Sequence, residues 1–262
     1  MEQVEVEGLR IAYERAGSGP AVVLLHGYVG DALTTWRPQL DGLSDAFTVV
    51  AWDAPGAGSS SDPPEDFGLD GYAACLTGFL DRLGLEPACV VGLSLGGIQA
   101  LALQRRRASP ALVLASAYAG WKGSLPPDQA EQRLRQALTL ADGTPEAFVE
   151  ALLPTMFAAT MPQETVDAFR DSLLAFHPRG FRAMARASAE DVRDVLPRID
   201  TPTLLIHGDQ DVRAPRAVAD VLHAAIPGSR LVVLPGVGHV CNLEAPDAFN
   251  AAVREFLAAS AP

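Results

Sequence analysis

Short apolar runs recur along this chain without the polar interruptions of a half-exposed strand. They are Ala21-Val22-Val23-Leu24-Leu25, Phe47-Thr48-Val49-Val50-Ala51-Trp52, Ala88-Cys89-Val90-Val91, Ala111-Leu112-Val113-Leu114-Ala115, Thr203-Leu204-Leu205-Ile206 and Arg230-Leu231-Val232-Val233-Leu234. Runs of this kind are the signature of strands buried on both faces. Helical spacing of apolar positions fills the intervals at about 34–43, 69–83, 98–107, 216–225 and 246–258, and residues 4–16 alternate around Gly8 as a hairpin would. Strand and helix taking turns predict an α/β fold, a mainly parallel central sheet with helices on both faces.

Between about Ala119 and Arg198 the pattern changes. Helical segments starting near Pro127, Pro145, Gln163 and Gly180 follow one another with no convincing strand between them, and prolines mark their starts. The expected organisation is a core of residues 1–118 and 199–262 with an all-helical cap, 119–198, inserted between core strands. Such an insertion emerges at the edge of the sheet where the strand-to-helix loops lie and ligands bind, so it should cover whatever chemistry sits there.

Composition narrows the function classes. The chain has 262 residues, 48% hydrophobic and 20% charged, enough for one large core. A formal net charge of −12 argues against nucleic-acid or anionic-membrane partners, and Arg105-Arg106-Arg107 reads as the basic end of a helix. Cys75, Cys89 and Cys241 include no Cys-x-x-Cys pair, and the acidic, alternating start (Met1-Glu2-Gln3-Val4-Glu5) is unlike a signal peptide. No segment approaches the roughly 18 consecutive apolar residues of a membrane span. A cytoplasmic protein is the expectation. No metal-ligand spacing occurs, and the glycine-rich turn near Gly56 lacks the Lys-Ser/Thr of a phosphate loop, so neither metal nor cofactor is expected.

The candidate chemistry gathers where apolar runs end. Val90-Val91-Gly92-Leu93-Ser94-Leu95-Gly96-Gly97 reads as a strand breaking at a glycine-flanked serine and running into a helix. A serine on so sharp a turn is strained, and glycines two residues either side relieve the crowding. Alone the pattern fits a tight glycine turn equally well. A serine nucleophile needs a base, and the base needs a partner to fix its tautomer. His207-Gly208-Asp209-Gln210-Asp211 follows one buried run and Pro235-Gly236-Val237-Gly238-His239 another, so both are expected at the edge that carries Ser94.

With His26-Gly27, Asp53-x-Pro55-Gly56-x-Gly58-x-Ser60, Gly208-x-x-Asp211-x-x-x-Pro215 and Gly238-His239, these pieces resemble an α/β-hydrolase with a helical cap over nearly the whole chain. Small bacterial carboxylesterases, enol-lactonases and cofactor-free perhydrolases are the branches it is similar to. The resemblance implies Ser94 as nucleophile, His239 as base and Asp211 as acid, with Asp209 the alternative acid. It also implies the backbone N–H groups of Tyr28 and Leu95 as oxyanion donors. His26 and Asp53 read as structural, and His177, His207 and His223 have no assigned partner. Trp121, Met156, Phe157 and Met161 could line a substrate pocket or simply pack the cap. The expected activity is hydrolysis of a small carboxylic ester or lactone through an acyl-enzyme. A carbon–carbon bond hydrolase or perhydrolase using the same triad, and a small-molecule receptor that retains it, are the alternatives.

Overall fold

A computed structural model describes residues 1–158 and 160–260. The chain opens with an antiparallel hairpin, β1 (Glu2–Val6) and β2 (Leu9–Ala16), and then alternates. β3 (Ala21–Leu25), α1 (Ala32–Leu43), β4 (Thr48–Trp52), α2 (Gly68–Leu83), β5 (Ala88–Leu93), α3 (Leu95–Leu103) and β6 (Leu112–Ala115) form the first part. An insertion carrying α4 (Trp121–Ser124), α5 (Pro127–Leu140), α6 (Pro145–Leu152), α7 (Gln163–Leu174) and α8 (Pro178–Ser188) separates β6 from β7 (Thr203–Gly208). The chain closes with α9 (Arg216–Ala225), β8 (Arg230–Leu234), the short α10 (Cys241–Glu244) and α11 (Pro246–Ser260).

The strands form one sheet in the order β1-β2-β4-β3-β5-β6-β7-β8, parallel from β4 through β8. The central runs are continuous because both faces are covered: Val22 to Leu25, Val49 to Trp52 and Val90 to Val91 are inaccessible to solvent, whereas β8, expected to be buried on both faces, is the edge strand and only half-buried from Leu231 to Val233. Register fixes where the strand ends fall. Leu25 pairs with Trp52 on one side and Gly92 on the other, Leu93 pairs with Ala115, and Gly208 pairs with Leu234. The loops leaving β3, β5, β7 and β8 therefore share one edge. The chain order reverses between β3 and β5, which places the switch-point crevice beside the last residues of both strands.

Helix starts follow local chemistry. Asp31 caps α1 by accepting from Thr34 N at 2.8 Å, and the Thr34 hydroxyl accepts from Asp31 N at 3.3 Å. α5, α6 and α8 each carry proline in the first turn, where the missing N–H costs nothing. Among the described residues no helix is long and apolar enough to cross a membrane.

α3 differs from its expected span, starting at Leu95 rather than near 98 and ending at Leu103 rather than 107. Gly96 and Gly97 hide the start, being poor helix formers kept there by packing: a Cβ on Gly96 would strike the Leu25 carbonyl, and one on Gly97 would lie 2.5 Å from Ala117 Cβ. The three arginines lie beyond the helix. Arg105 pairs with Asp194, and Arg107 with Asp81 at 2.9 Å and with Glu86.

Candidate functional site

Ser94 stands between β5 and α3 at φ 54° and ψ −111°, a conformation unusual for a residue with a Cβ. Holding it there costs about 1–3 kcal/mol, which the surroundings must offset. They do so through Ser94 N donating to Ala115 O at 2.9 Å, while Gly97 N and Ile98 N donate to Ser94 O at 3.0 and 3.2 Å. A Cβ on Gly92 would collide with the Gly96 carbonyl, so these glycines supply room for the turn. Leu95 is the first residue of α3, and its N–H is one of those that a helix start leaves unpaired.

β7 and β8 present the titratable partners. His239 Nδ1–H donates to Asp211 Oδ2 at 2.8 Å, with His239 4% and Asp211 5% exposed. Because a carboxylate can only accept, the imidazole proton sits on Nδ1 and Nε2 keeps its lone pair. Asp211 Oδ1 accepts from Arg213 N at 2.9 Å and Ala214 N at 2.8 Å. Burial pushes the Asp211 carboxyl up. The charge and hydrogen bond of His239, the Ala214 N–H and nearby His207 outweigh it and hold the group below the usual carboxylate range.

Asp209 is exposed, and its Oδ1 accepts from Gly236 N at 2.7 Å, bracing the turn after β8. It does not meet the His239 ring.

Ser94 and His239 line one small cavity together with Tyr28, Met156, Phe169 and Val240. Its volume is about 10 Å3, space for a single water. Among the described residues, the link between Ser94 and His239 is proximity on this wall and not a formed hydrogen bond. The insertion reaches the segment that carries the base: Val240 N donates to Met156 O at 3.2 Å, and Glu244 accepts from Gly238 N and Ala158 N, each at 2.9 Å.

Of the apolar residues expected at a pocket, Met156 lines this cavity. Trp121 is one ring removed, edge-on to Tyr28 with centroids 5.9 Å apart, Phe157 packs edge-on against Phe169 at 5.3 Å, and Met161 is half-buried against the core. Phe169 escaped sequence reading. The apolar spacing of Phe169 and Leu173 marks the buried face of α7 but not which loop that face meets.

The remaining polar groups build the frame. His26 Nδ1–H donates to Gly27 O at 2.6 Å while Nε2 accepts from Ala54 N at 2.9 Å, a pattern that only the neutral ring satisfies. Burial lowers its pKa, against the pull of Asp53 and Asp31. Asp53 accepts from Ala32 N at 2.8 Å and Ser59 N at 2.7 Å, tying the turn after β4 to the start of α1. His207 Nε2–H donates to Ala214 O at 2.7 Å and closes the loop that holds Asp211. His177 meets Asp62 and His223 meets Ser229, each at 2.9 Å, away from this cavity. Among the described residues, no group of three or more His, Cys, Asp or Glu is placed to hold a metal ion.

Comparison with known proteins places this geometry in a broad context. The sequence model of the alpha/beta hydrolase family matches residues 22–252. The human protein named serine hydrolase BPHL is 31% identical over 264 aligned residues, covering 97% of this chain and 85% of that protein. A thermophilic esterase from Thermogutta terrifontis, solved with malate bound, superposes with a TM-score of 0.90 at 29% identity over 99% of both chains. The enol-lactonase from Burkholderia xenovorans LB400 superposes with a TM-score of 0.88 at 30% identity, covering 98% of this chain and all of the other.

Proposed function

Since the chain belongs to the alpha/beta hydrolase family, we propose that it is a serine hydrolase that cleaves a small carboxylic ester or lactone through an acyl-enzyme. The observation that carries this reading is the buried His239–Asp211 hydrogen bond, which leaves His239 Nε2 available beside Ser94 in the same cavity. Ser94 Oγ attacks the substrate carbonyl as His239 Nε2 takes its proton. Asp211 keeps the proton on Nδ1 and stabilises the imidazolium that forms. The carbonyl oxygen becomes an oxyanion, which the N–H groups of Tyr28 and Leu95 receive. One such donor is worth roughly two to three orders of magnitude in rate. The C–O bond then breaks, with His239 returning the proton to the leaving alcohol oxygen. In a lactone that oxygen stays tethered to the acyl group. Water repeats the cycle on the acyl-serine and releases the acid.

The esterase and enol-lactonase relatives support this bond class. A panel of p-nitrophenyl esters of graded chain length with several lactones, run beside labelling by a serine-directed phosphonate, tests the reading. Ser94→Ala should abolish labelling and lower kcat/KM by about three orders of magnitude or more. Retention of more than about a tenth of the activity would remove Ser94 from its assigned role. Labelling at Ser94 without turnover of any ester or lactone would favour a receptor.

A further inference from the structure

A second and larger cavity, about 780 Å3, lies beside the first, and Tyr28 lines both. Its charged lining is wholly cationic: Arg133 and Arg135 from α5, and Arg213 from the loop that follows Asp211. No Asp or Glu is among its described lining residues, although the chain as a whole carries a net charge of −12. Arg135 is exposed and pairs with Glu131 at 3.4 Å. Arg133 and Arg213 are half-buried and form no ion pair among the described residues.

What these two guanidiniums touch is neutral. Arg133 donates to the Tyr118 hydroxyl at 2.7 Å and the Arg213 carbonyl at 3.0 Å, while Arg213 donates to the Thr155 hydroxyl at 2.8 Å and to the Tyr28 hydroxyl. The Arg213 guanidinium lies 5.4 Å from the centre of the Tyr28 ring, and that of Arg133 lies 5.6 and 5.7 Å from the Tyr118 and Trp121 rings. Aromatic faces and neutral acceptors hold the groups in place without cancelling their charge. Each guanidinium has five donors, so both keep bonding capacity to spare. Two like charges drawn partly out of water cost stability until an anion meets them.

We infer that the substrate carries a carboxylate, which Arg213 and Arg133 bind beyond the Tyr28 ring while the scissile carbonyl lies at Ser94. This rests on the acyl-transfer reading above and names a substrate class for it. Arg213 is well registered for the task, since its backbone N–H donates to the same carboxylate that holds His239. A carboxylate fits better than a phosphate. The helical lining residues come from the middle and C-terminal turns of α5 and α6, where no helix N-terminus offers a cradle of N–H groups. A planar guanidinium fork meets a carboxylate bidentately.

The test compares p-nitrophenyl hemi-esters of succinate, glutarate and adipate with uncharged p-nitrophenyl esters of equal chain length. The wild-type protein should favour one of the charged esters by at least about tenfold in kcat/KM, mainly through KM. Added salt should shrink that preference. Arg213→Gln and Arg133→Gln should each reduce the charged-to-neutral ratio at least about tenfold, with Arg213→Lys retaining part of it. Melting temperatures show whether each variant folds, and the salt series on wild type needs no variant. Binding of glutarate to the same proteins is measured by calorimetry, with inorganic phosphate as the competing probe.

A wild-type ratio near one that the variants leave unchanged overturns the inference and leaves the hydrolase reading standing. Phosphate binding more tightly than glutarate overturns the carboxylate assignment. If no ester is turned over, yet glutarate binds wild type and not the arginine variants, the acyl-transfer reading fails and the anion site stands. If wild type shows neither a charge preference nor glutarate binding, the site itself is overturned.

Discussion

Asp209 and Asp211 leave the end of β7 two residues apart, and what separates them is the hydrogen bond each makes. Asp211 holds the Nδ1 proton of His239, whereas Asp209 braces Gly236 N. Asp211→Asn would offer an amide N–H that favours the opposite tautomer, with the proton on Nε2, and kcat should fall by roughly three to four orders of magnitude. Asp209→Asn should leave kcat within about threefold. Steady-state kinetics on one activated ester decides, and the reverse ranking would transfer the role to Asp209. The residue types and order of Ser94, Asp211 and His239 were legible in the sequence because each follows an apolar run and the register of β5, β7 and β8 aligns those ends. Arg213 was not legible. Its guanidinium gains significance only from the Tyr28 ring and from α5, which tertiary packing brings beside it.

β7 shows how an element carries its loop into position. His207 is its penultimate residue, buried, and its bond to Ala214 O spans the turn that contains Asp211. Burial lowers the His207 pKa against the pull of Asp211. In the unfolded chain a histidine gains its proton near pH 6.5, but the folded ring does so only at lower pH. Below about pH 6.5 the unfolded state therefore binds more protons, so stability falls as pH drops. The effect is absent well above that pH. Buried His26 adds a contribution of the same sign, while Asp53, pushed up chiefly by burial, opposes it at lower pH. Urea midpoints measured between pH 8 and 5 should decline for wild type and less so for His207→Gln, which keeps a donor without a titrating ring. Equal slopes would mean that His207 is not held neutral. At this scale the sequence conveyed strands better than helix ends. Continuous apolar runs mark strands, although that of β8 belongs to a half-buried edge strand, but the start of α3 is set by backbone approach to Leu25 and Ala117, and propensity does not report that.

Across the whole molecule the insertion from β6 to β7 closes over the edge that the sheet prepares. Its helical character was readable from the lack of strand-like runs and from proline-marked starts, but the direction of its side chains was not. Met156 and Phe169 line the cavity that holds Ser94, while Trp121 and Phe157 turn to aromatic neighbours. Met156 and Phe169 of the insertion wall the narrow cavity at Ser94, so we expect an entering ester to displace them. For a good substrate, kcat/KM should fall as sucrose raises the microviscosity and stay unchanged with a polymeric thickener of equal bulk viscosity. Identical responses to both agents would mean that no such motion limits the reaction. The backbone bond between Met156 and Val240, beside His239, then acquires a temporal meaning. A movement that opened the entrance would pull on the neighbour of the base, and admission and reaction would then be successive phases of each cycle, separated in time by the return of one short segment.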